Sequence, residues 1–184
     1  MTGEPRAWHE PYRQFFWFPG RARWTHDRLL AVIVMDLNDS FQRAIAYWSF
    51  GWLASDRLPE VAADALATGL DSSSLVALAS CDSTPNPELH TMFEAALAEL
   101  GRQRLSKPEA GRLSAKDYAQ KVCDGELDPI EGARLIWRVS LEADELGSEF
   151  GIFGGRVTEY EGMPELRDKE AAMIIEEARA LIGG

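Results

Sequence analysis

The chain has 184 residues, of which 46% are hydrophobic and 27% are charged, values typical of one globular domain with room for a small appendage. Its formal net charge of −11 opposes contact with nucleic-acid phosphates and with anionic membrane surfaces, so we expect neither partner. Two cysteines, Cys81 and Cys123, are too few for a disulfide framework, and we expect both thiols to be reduced.

The apolar runs near the N-terminus are short. Residues 15–18 are followed by Pro19-Gly20, and residues 29–35 are followed by Asp36. Neither run approaches the roughly 20 apolar residues of a transmembrane helix or the layout of a secretory signal. The sequence therefore predicts a cytoplasmic protein without a membrane span.

Residues 1–24 are an irregular segment rich in aromatic and basic side chains. They contain seven of the 18 aromatic residues of the chain, and prolines interrupt them at three positions. Arg and aromatic side chains are enriched at the centres of protein interfaces, so we interpret this segment as an ordered N-terminal arm and a candidate interaction surface. The candidate contact residues are Trp8, Tyr12, Arg13, Phe15, Phe16, Trp17, Phe18, Arg21, Arg23 and Trp24.

Charge separates the N-terminal arm from the rest of the chain. Residues 1–28 hold five Arg against three acidic residues, a net charge of +2, which leaves −13 on residues 29–184. Leaving aromatic rings in water costs free energy, and the sequence is compatible with three ways of burying them. The arm packs on its own acidic helical body, docks on a second copy to form a homodimer, or docks on another protein.

Residues 25–184 are predicted to form a single helical domain. In its first segment, residues 26–54, Thr25 can serve as N-cap and apolar side chains recur every 3.6 residues. The segment is one long helix or two nearly collinear helices, and a strand at residues 29–34 is the alternative. Two apolar faces predict a helix that is central to its domain or lies in a dimer interface. The first face carries Leu30, Ile33, Val34, Leu37, Phe41, Ala44, Ile45, Trp48 and Trp52, and the second carries Val32, Tyr47, Phe50 and Leu53.

Residues 58–101 are predicted to contain three shorter helices with recognisable ends. Gly69 ends the first helix, and the Asp and Ser side chains of residues 71–74 offer N-caps for the second. Asn86 caps the third helix, with a proline in the first position, and Gly101 ends it.

Residues 102–113 are predicted to be a polar loop. Ser114 and Asp117 then resemble a capping box, in which a serine and an acidic residue three positions later bond to each other's backbone N–H. The helix that they begin is expected to end at Gly125.

The next helix has the clearest start signal of the chain. Asp128 is the expected N-cap, Pro129 the first helical residue and Glu131 the capping-box partner. This helix is expected to end near residue 147.

Residues 147–162 contain five glycines and are interpreted as a flexible surface loop, with a short edge strand at residues 156–160. A last amphipathic helix is predicted from about residue 164 to 182. In total the sequence predicts an all-α fold, a compact bundle of six or seven helices with an aromatic-rich N-terminal arm.

Two stretches of the helical domain carry a familiar residue pattern. They are Gly69-Leu70-Asp71-Ser72 followed by Leu75, Leu78 and Ala79, and Val122 followed by Gly125-Glu126-Leu127-Asp128-Pro129, Glu131-Gly132-Ala133 and Ile136-Trp137. Together they resemble a pattern of uncharacterised helical proteins of bacteria, over roughly residues 58–141. The resemblance implies a helical fold, and it implies no activity, cofactor or catalytic residue.

Individual polar residues give no catalytic signature. The chain has no nucleotide-binding glycine loop, nucleophile elbow or zinc-protease helix. His90 and Glu94 share one helix face at a spacing that metal ligands use, but we expect a solvent-facing pair and no bound metal. The serines of residues 71–74 are explained as caps, and Cys81 is expected to be exposed and oxidisable. The acidic residues of 126–131 lack the pattern of a calcium loop.

The function that these features favour is a non-catalytic protein-interaction protein, an adaptor or an inhibitor of a partner, which needs no cofactor. One alternative is a small enzyme whose polar pocket has no recognisable motif. Another is an acidic decoy that occupies a basic protein surface. A pocket of convergent carboxylates and histidine would favour the enzyme, and a large flat apolar patch would favour the adaptor.

Deleting residues 1–20 is expected to leave a helical but less soluble protein, because the apolar surface around Trp48 and Trp52 would lose its cover. If the arm docks on its own chain, the intact protein is a monomer and the truncation lowers the melting temperature by several degrees. If it docks on a second copy, light scattering detects a dimer that the truncation abolishes. Unchanged melting, solubility and mass would show that the arm is a free tail.

Overall fold

The computed structural model describes residues 40–183, and this part of the chain is all-α, as the sequence predicts. Within it there is no strand, and no helix is both long enough and apolar enough to cross a bilayer. The helices are α1 (residues 40–50), α2 (Leu58–Ala67), α3 (Ser73–Ala79), α4 (Glu88–Glu99), α5 (Lys107–Cys123), α6 (Pro129–Glu142), α7 (Gly147–Gly162) and α8 (Arg167–Gly183). Short 3-10 turns at Ser55–Arg57, Asp144–Leu146 and Pro164–Leu166 lead into α2, α7 and α8.

Several sequence predictions fall on residues that precede this part of the chain. The N-terminal arm at residues 1–24, the cap at Thr25 and the alternative strand at residues 29–34 lie outside the described residues. The same is true of the first part of segment 26–54. These stay predictions.

The predicted number of six or seven helices is too low, because the described residues alone contain eight. Residues 147–162 form α7, not a glycine-rich loop with a strand at residues 156–160. Gly154 brings α7 so close to α6 that a Cβ at this position would lie 2.5 Å from Trp137 Nε1. Burial of the apolar face of α7 outweighs the low helix propensity of its glycines. That face consists of Phe150, Phe153 and Val157.

Helix α5 begins earlier than predicted, inside the expected loop at residues 102–113. The Ser106 hydroxyl accepts a hydrogen bond from the Glu109 N–H at 3.4 Å, and the Glu109 carboxylate accepts one from the Ser106 N–H at 3.0 Å. This capping box replaces the one predicted at Ser114 and Asp117, which lie within the helix. The Ser-x-x-acid pattern occurs at both places. Packing buries residues between the two patterns as part of the helix, so the helix begins at the first pattern.

Helices α1, α2, α4 and α5 all end on a glycine with positive φ: Gly51 (91°), Gly69 (88°), Gly101 (66°) and Gly125 (74°). In each case the N–H of the glycine and the N–H of the next residue bond back to carbonyls of the last turn, which is the Schellman arrangement. The ends at the last three glycines confirm the predictions. Gly51 corrects the predicted helical segment, because it ends α1 at residue 50 and not at residue 54.

The helices form two groups that α1 holds together. Helices α2 to α4 surround one apolar cluster and α5 to α8 surround another, and among α2 to α8 no helix of one group lies beside a helix of the other. In α1, Phe41, Ile45 and Trp48 enter the first cluster and Phe50 enters the second. Over residues 40–50, both apolar faces of α1 therefore supply buried side chains, as expected for a helix central to its domain.

Two neighbouring glycines of α7 should respond oppositely to alanine. Gly155→Ala is expected to stabilise the protein by about 0.5–1 kcal/mol, because glycine is a poor helix former and no described atom lies within 4 Å of the new Cβ. Gly154→Ala is expected to destabilise it by about 1–3 kcal/mol, because the new Cβ would lie 2.5 Å from Trp137 Nε1. Urea unfolding followed by circular dichroism measures both, and changes of equal sign would contradict the α6–α7 contact.

Candidate functional site

A cleft of about 520 Å³ opens at the C-terminal end of α1, beside α5 and α6. Tyr, Trp and Arg side chains, the types that dominate binding hot spots, converge in it. The lining residues are Tyr47, Gly51, Trp52, Tyr118, Leu135 and Arg138. We refer to this site as the aromatic cleft.

The way in which α1 ends positions the Trp52 ring. The N–H groups of Gly51 and Trp52 donate to the carbonyls of Trp48 at 3.0 Å and of Tyr47 at 2.8 Å. This arrangement commonly brings the residue after the glycine against the last turn of the helix, and the ring centroids of Tyr47 and Trp52 lie 6.5 Å apart. The Tyr118 ring of α5 completes the group, 5.7 Å from Tyr47 and 6.3 Å from Trp52.

Trp52, Arg138 and Glu142 form a closed unit at the cleft. The Trp52 indole N–H donates to Glu142 Oε2 at 2.9 Å, and Arg138 Nε donates to Glu142 Oε1 at 2.8 Å. The guanidinium carbon of Arg138 lies 5.2 Å from the Trp52 ring centroid, within cation–π distance. Because Arg138 and Glu142 are four residues apart on α6, they share one helix face. A single carboxylate therefore orients both the indole ring and the guanidinium group.

A second network centres on Asp117 of α5. Tyr47 Oη donates to Asp117 Oδ2 at 2.6 Å, Lys121 Nζ lies 2.7 Å from the same oxygen, and Arg43 Nε lies 3.3 Å from Oδ1. The Asp117 side chain is only 8% exposed, and a carboxylate buried to this degree is stable only with such partners. Lys121 Nζ also lies 6.0 and 5.9 Å from the ring centroids of Tyr47 and Tyr118.

Both phenols of the aromatic cleft are protonated at neutral pH. Burial, the hydrogen bond to Asp117 and the charge of Asp117 raise the pKa of Tyr47 well above its usual range. Burial also raises the pKa of Tyr118. Protonated phenols cannot act as general bases, so the cleft offers hydrogen-bond donors, ring surface and cations. This chemistry suits binding.

The sequence-predicted candidate residues that the structure describes lie outside the aromatic cleft. The arm surface at residues 1–24 and the two other histidines are outside the described residues. His90 is half-buried on α4, which corrects the predicted solvent-facing pair, while Glu94 is exposed. The reason is that α1 packs against α4, and the buried Trp48 indole N–H donates to His90 Nδ1 at 2.9 Å.

The sequence predicts capping roles for the serines of residues 71–74, and the structure confirms this for Ser72, whereas Ser73 and Ser74 bond to α4. Ser72 Oγ accepts a hydrogen bond from the Leu75 N–H at 3.0 Å. In addition, the Ser74 hydroxyl and the Ser74 N–H donate to the Glu99 carboxylate of α4 at 2.6 and 3.0 Å, and the Ser73 hydroxyl donates at 3.1 Å. These bonds lower the pKa of Glu99 to about 2. The serine hydroxyls thus tie α3 to α4.

The remaining candidates are also structural. Cys81 is half-buried, where exposure was predicted, because its thiol turns inward and donates to a carbonyl of the preceding turn at 3.3 Å. Asp128 caps α6 as predicted, accepting from the Glu131 N–H at 3.2 Å. The Glu131 carboxylate does not complete a capping box, because it pairs with Arg134 instead. Among residues 40–183, no group of three or more His, Cys, Asp and Glu side chains is placed to hold a metal ion.

The interaction surface predicted from the sequence does not include the residues of the aromatic cleft. Tyr47 and Trp52 are interpreted there as parts of apolar helix faces, and Arg138 is not singled out. Two local signals were present: a glycine between the aromatic residues at 47 and 52, and the Arg138–Glu142 spacing. The approach of α5 and α6 to α1 has no such local signal.

Tyr47 and Tyr118 are expected to ionise at higher pH in the native protein than in the unfolded chain, because folding raises the pKa of both. Unfolded tyrosines titrate near pH ~10, so the stability that these phenols contribute is present below that pH and is lost as the pH rises above it. Ultraviolet absorbance titration measures this. Asp117→Asn should lower the pKa of Tyr47, and Tyr47→Phe should remove one late-ionising phenol. An unchanged number of late-ionising phenols in Tyr47→Phe would contradict the burial of this group.

Comparison of the chain with protein-family models, with curated proteins and with solved structures finds no match. The resemblance of residues 58–141 to helical proteins of bacteria therefore stays an expectation. Function has to be argued from the site itself, because a fold alone does not specify it.

Proposed function

We propose that this protein is a non-catalytic interaction protein, an adaptor or an inhibitor, and that the aromatic cleft is a docking surface for a polypeptide partner. The observation that carries the proposal is the unit of Trp52, Arg138 and Glu142. In it, hydrogen bonds of 2.9 and 2.8 Å orient an aromatic ring and a guanidinium group beside an open cleft of about 520 Å³. These are the side chains that contribute most to protein interfaces.

The orientation of Arg138 lowers the cost of binding. A flexible side chain that becomes ordered in an interface loses about 0.5–1.5 kcal/mol of conformational entropy. The Glu142 hydrogen bond and the Trp52 ring already restrict Arg138, although 60% of its side chain is exposed. Lys121 is restricted in the same way by Asp117. Both cations are therefore partly ordered before a partner arrives.

Helix α6 adds apolar surface to this docking site. Leu135 lines the cleft, and Leu141, three residues after Arg138, is 62% exposed. A single exposed leucine is ordinary on a protein surface. On the same helix as Arg138, it adds aliphatic surface to the mixture of aromatic, aliphatic and Arg side chains that characterises interface cores.

We propose the N-terminal arm, residues 1–24, as a second interaction segment. Its support is compositional, because Arg alternates with aromatic side chains there and the first 28 residues carry +2 against −13 on the remainder. The arm's own acidic body, a second copy and a different protein are the three candidate sites for it. A reducing cytoplasm as the location is in keeping with the free thiols of Cys81 and Cys123.

Site-specific photo-cross-linking tests the docking site. A benzoylphenylalanine replaces Leu141, which is exposed three residues after Arg138 on α6, and in a matched protein it replaces Val76 of α3, which is 50% exposed in the other helix group. After irradiation in extract of the source cells, a discrete adduct is expected from position 141 and not from position 76. The variant Arg138→Ala, which changes an exposed side chain, should abolish the adduct.

Two results would contradict this function. Adducts of equal yield from both positions would show non-specific contact, and an adduct that survives Arg138→Ala would show that the cleft is not the docking site. Circular dichroism of the Arg138→Ala protein checks that it keeps its helical content.

A further inference from the structure

We propose that the occupant of the aromatic cleft is an acidic polypeptide segment whose side-chain carboxylate binds the guanidinium fork of Arg138. A second carboxylate of the same segment lies near Lys121. This inference rests on the proposed docking function, because it names the chemistry of the partner at that site.

The hydrogen-bonding pattern of Arg138 leaves its fork available. Arg138 Nε donates a hydrogen bond to Glu142 Oε1 at 2.8 Å, and within residues 40–183 the two terminal nitrogens of Arg138 have no hydrogen-bond partner. Those nitrogens present parallel N–H groups at the spacing of the two oxygens of a carboxylate. The Trp52 ring, whose centroid lies 5.2 Å from the guanidinium carbon, further restricts the position of the guanidinium group. Arg138 is therefore a pre-oriented receptor for a planar anion.

The cations beside the cleft are more exposed than the carboxylates that pair with them. The Lys121 side chain is 42% exposed and that of its partner Asp117 8%, and the Arg138 side chain is 60% exposed and that of its partner Glu142 32%. This accessible positive charge lies on a chain with a formal net charge of −11. An acidic segment is attracted to such a place.

The aromatic rings argue against two other kinds of occupant. A cation already lies over each ring of the group, Arg138 over Trp52 and Lys121 over Tyr47 and Tyr118, at 5.2–6.0 Å from the ring centroids. A cationic side chain would have to displace these groups, and a nucleobase would lose that stacking face.

Nuclear magnetic resonance titration with short synthetic peptides tests the inference on the full-length protein. The probe is acetyl-EEFEE-amide, and the control peptides are acetyl-QQFQQ-amide and acetyl-KKFKK-amide. The signals followed are the Trp52 indole N–H, assigned through Trp52→Phe, and the Arg138 Nε–H. The acidic peptide is expected to shift both signals, with an affinity that falls as salt concentration rises.

Variants of α6 separate the guanidinium fork from general charge. Arg138→Gln is expected to weaken binding of the acidic peptide by roughly tenfold or more, and Arg138→Lys to restore only part of it, because a lysine lacks the planar fork. The matched control is Arg134→Gln, one turn earlier on α6, where the arginine is paired with Glu131 and Glu161. This control should bind the peptide as the unmodified protein does.

Each contrary outcome has a defined meaning. If the neutral peptide shifts the same signals as strongly, or Arg138→Gln has no effect, the cleft remains a docking site and the acidic occupant is wrong. Preferential binding of the basic peptide also overturns it. If no peptide binds while the adduct at position 141 forms, the docking function stands and this inference falls. If neither peptide binding nor the adduct at position 141 is observed, the docking function and the acidic occupant are both wrong.

Discussion

The structure depends on one helix that two apolar cores share. Helices α2 to α4 and α5 to α8 do not lie beside one another, so among residues 40–183 the groups are joined through α1, with Leu105 as a further contact to both clusters. Phe41, Ile45 and Trp48 occupy one side of α1 and Phe50 the other. At about 25 cal/mol per Å², aromatic side chains of 150–250 Å² each provide several kcal/mol on each side.

Packing aromatic side chains on α1 and just beyond its end creates a second requirement, because the indole and phenol donors need acceptors once water is excluded. Each receives one from a different helix. The Trp48 indole bonds to His90 of α4, the Tyr47 phenol to Asp117 of α5 and the Trp52 indole to Glu142 of α6, at 2.6–2.9 Å. These bonds set the angular position of α1 between the two groups, and they draw carboxylates, with their own cations, toward the end of α1.

The aromatic cleft is the consequence of these constraints at the place where α1 stops. Gly51 reverses the chain, so Trp52 lies against Tyr47 rather than continuing along the helix. Glu142 accepts hydrogen bonds from the Trp52 indole and from Arg138, and the Arg138 guanidinium group thereby lies over the Trp52 ring. The carboxylates of this region are occupied with internal partners, and the phenols keep their protons. Groups held in this way present a fixed geometry to whatever enters the cleft.

The sequence by itself determined the all-α fold, three of the four glycine helix ends and the caps at Ser72 and Asp128, because caps and apolar periodicity are local properties. For α1 it left a central position and a dimer interface as alternatives. Packing alone decided three other features. Residues 147–162 became helix α7 through burial against Trp137, although their glycines favour a loop. Helix α5 began at Lys107, although the Ser114 pattern offered an equal start. Tyr47, Trp52, Tyr118 and Arg138 met in one cleft because residues up to 91 positions apart were brought together by helices that share no local signal.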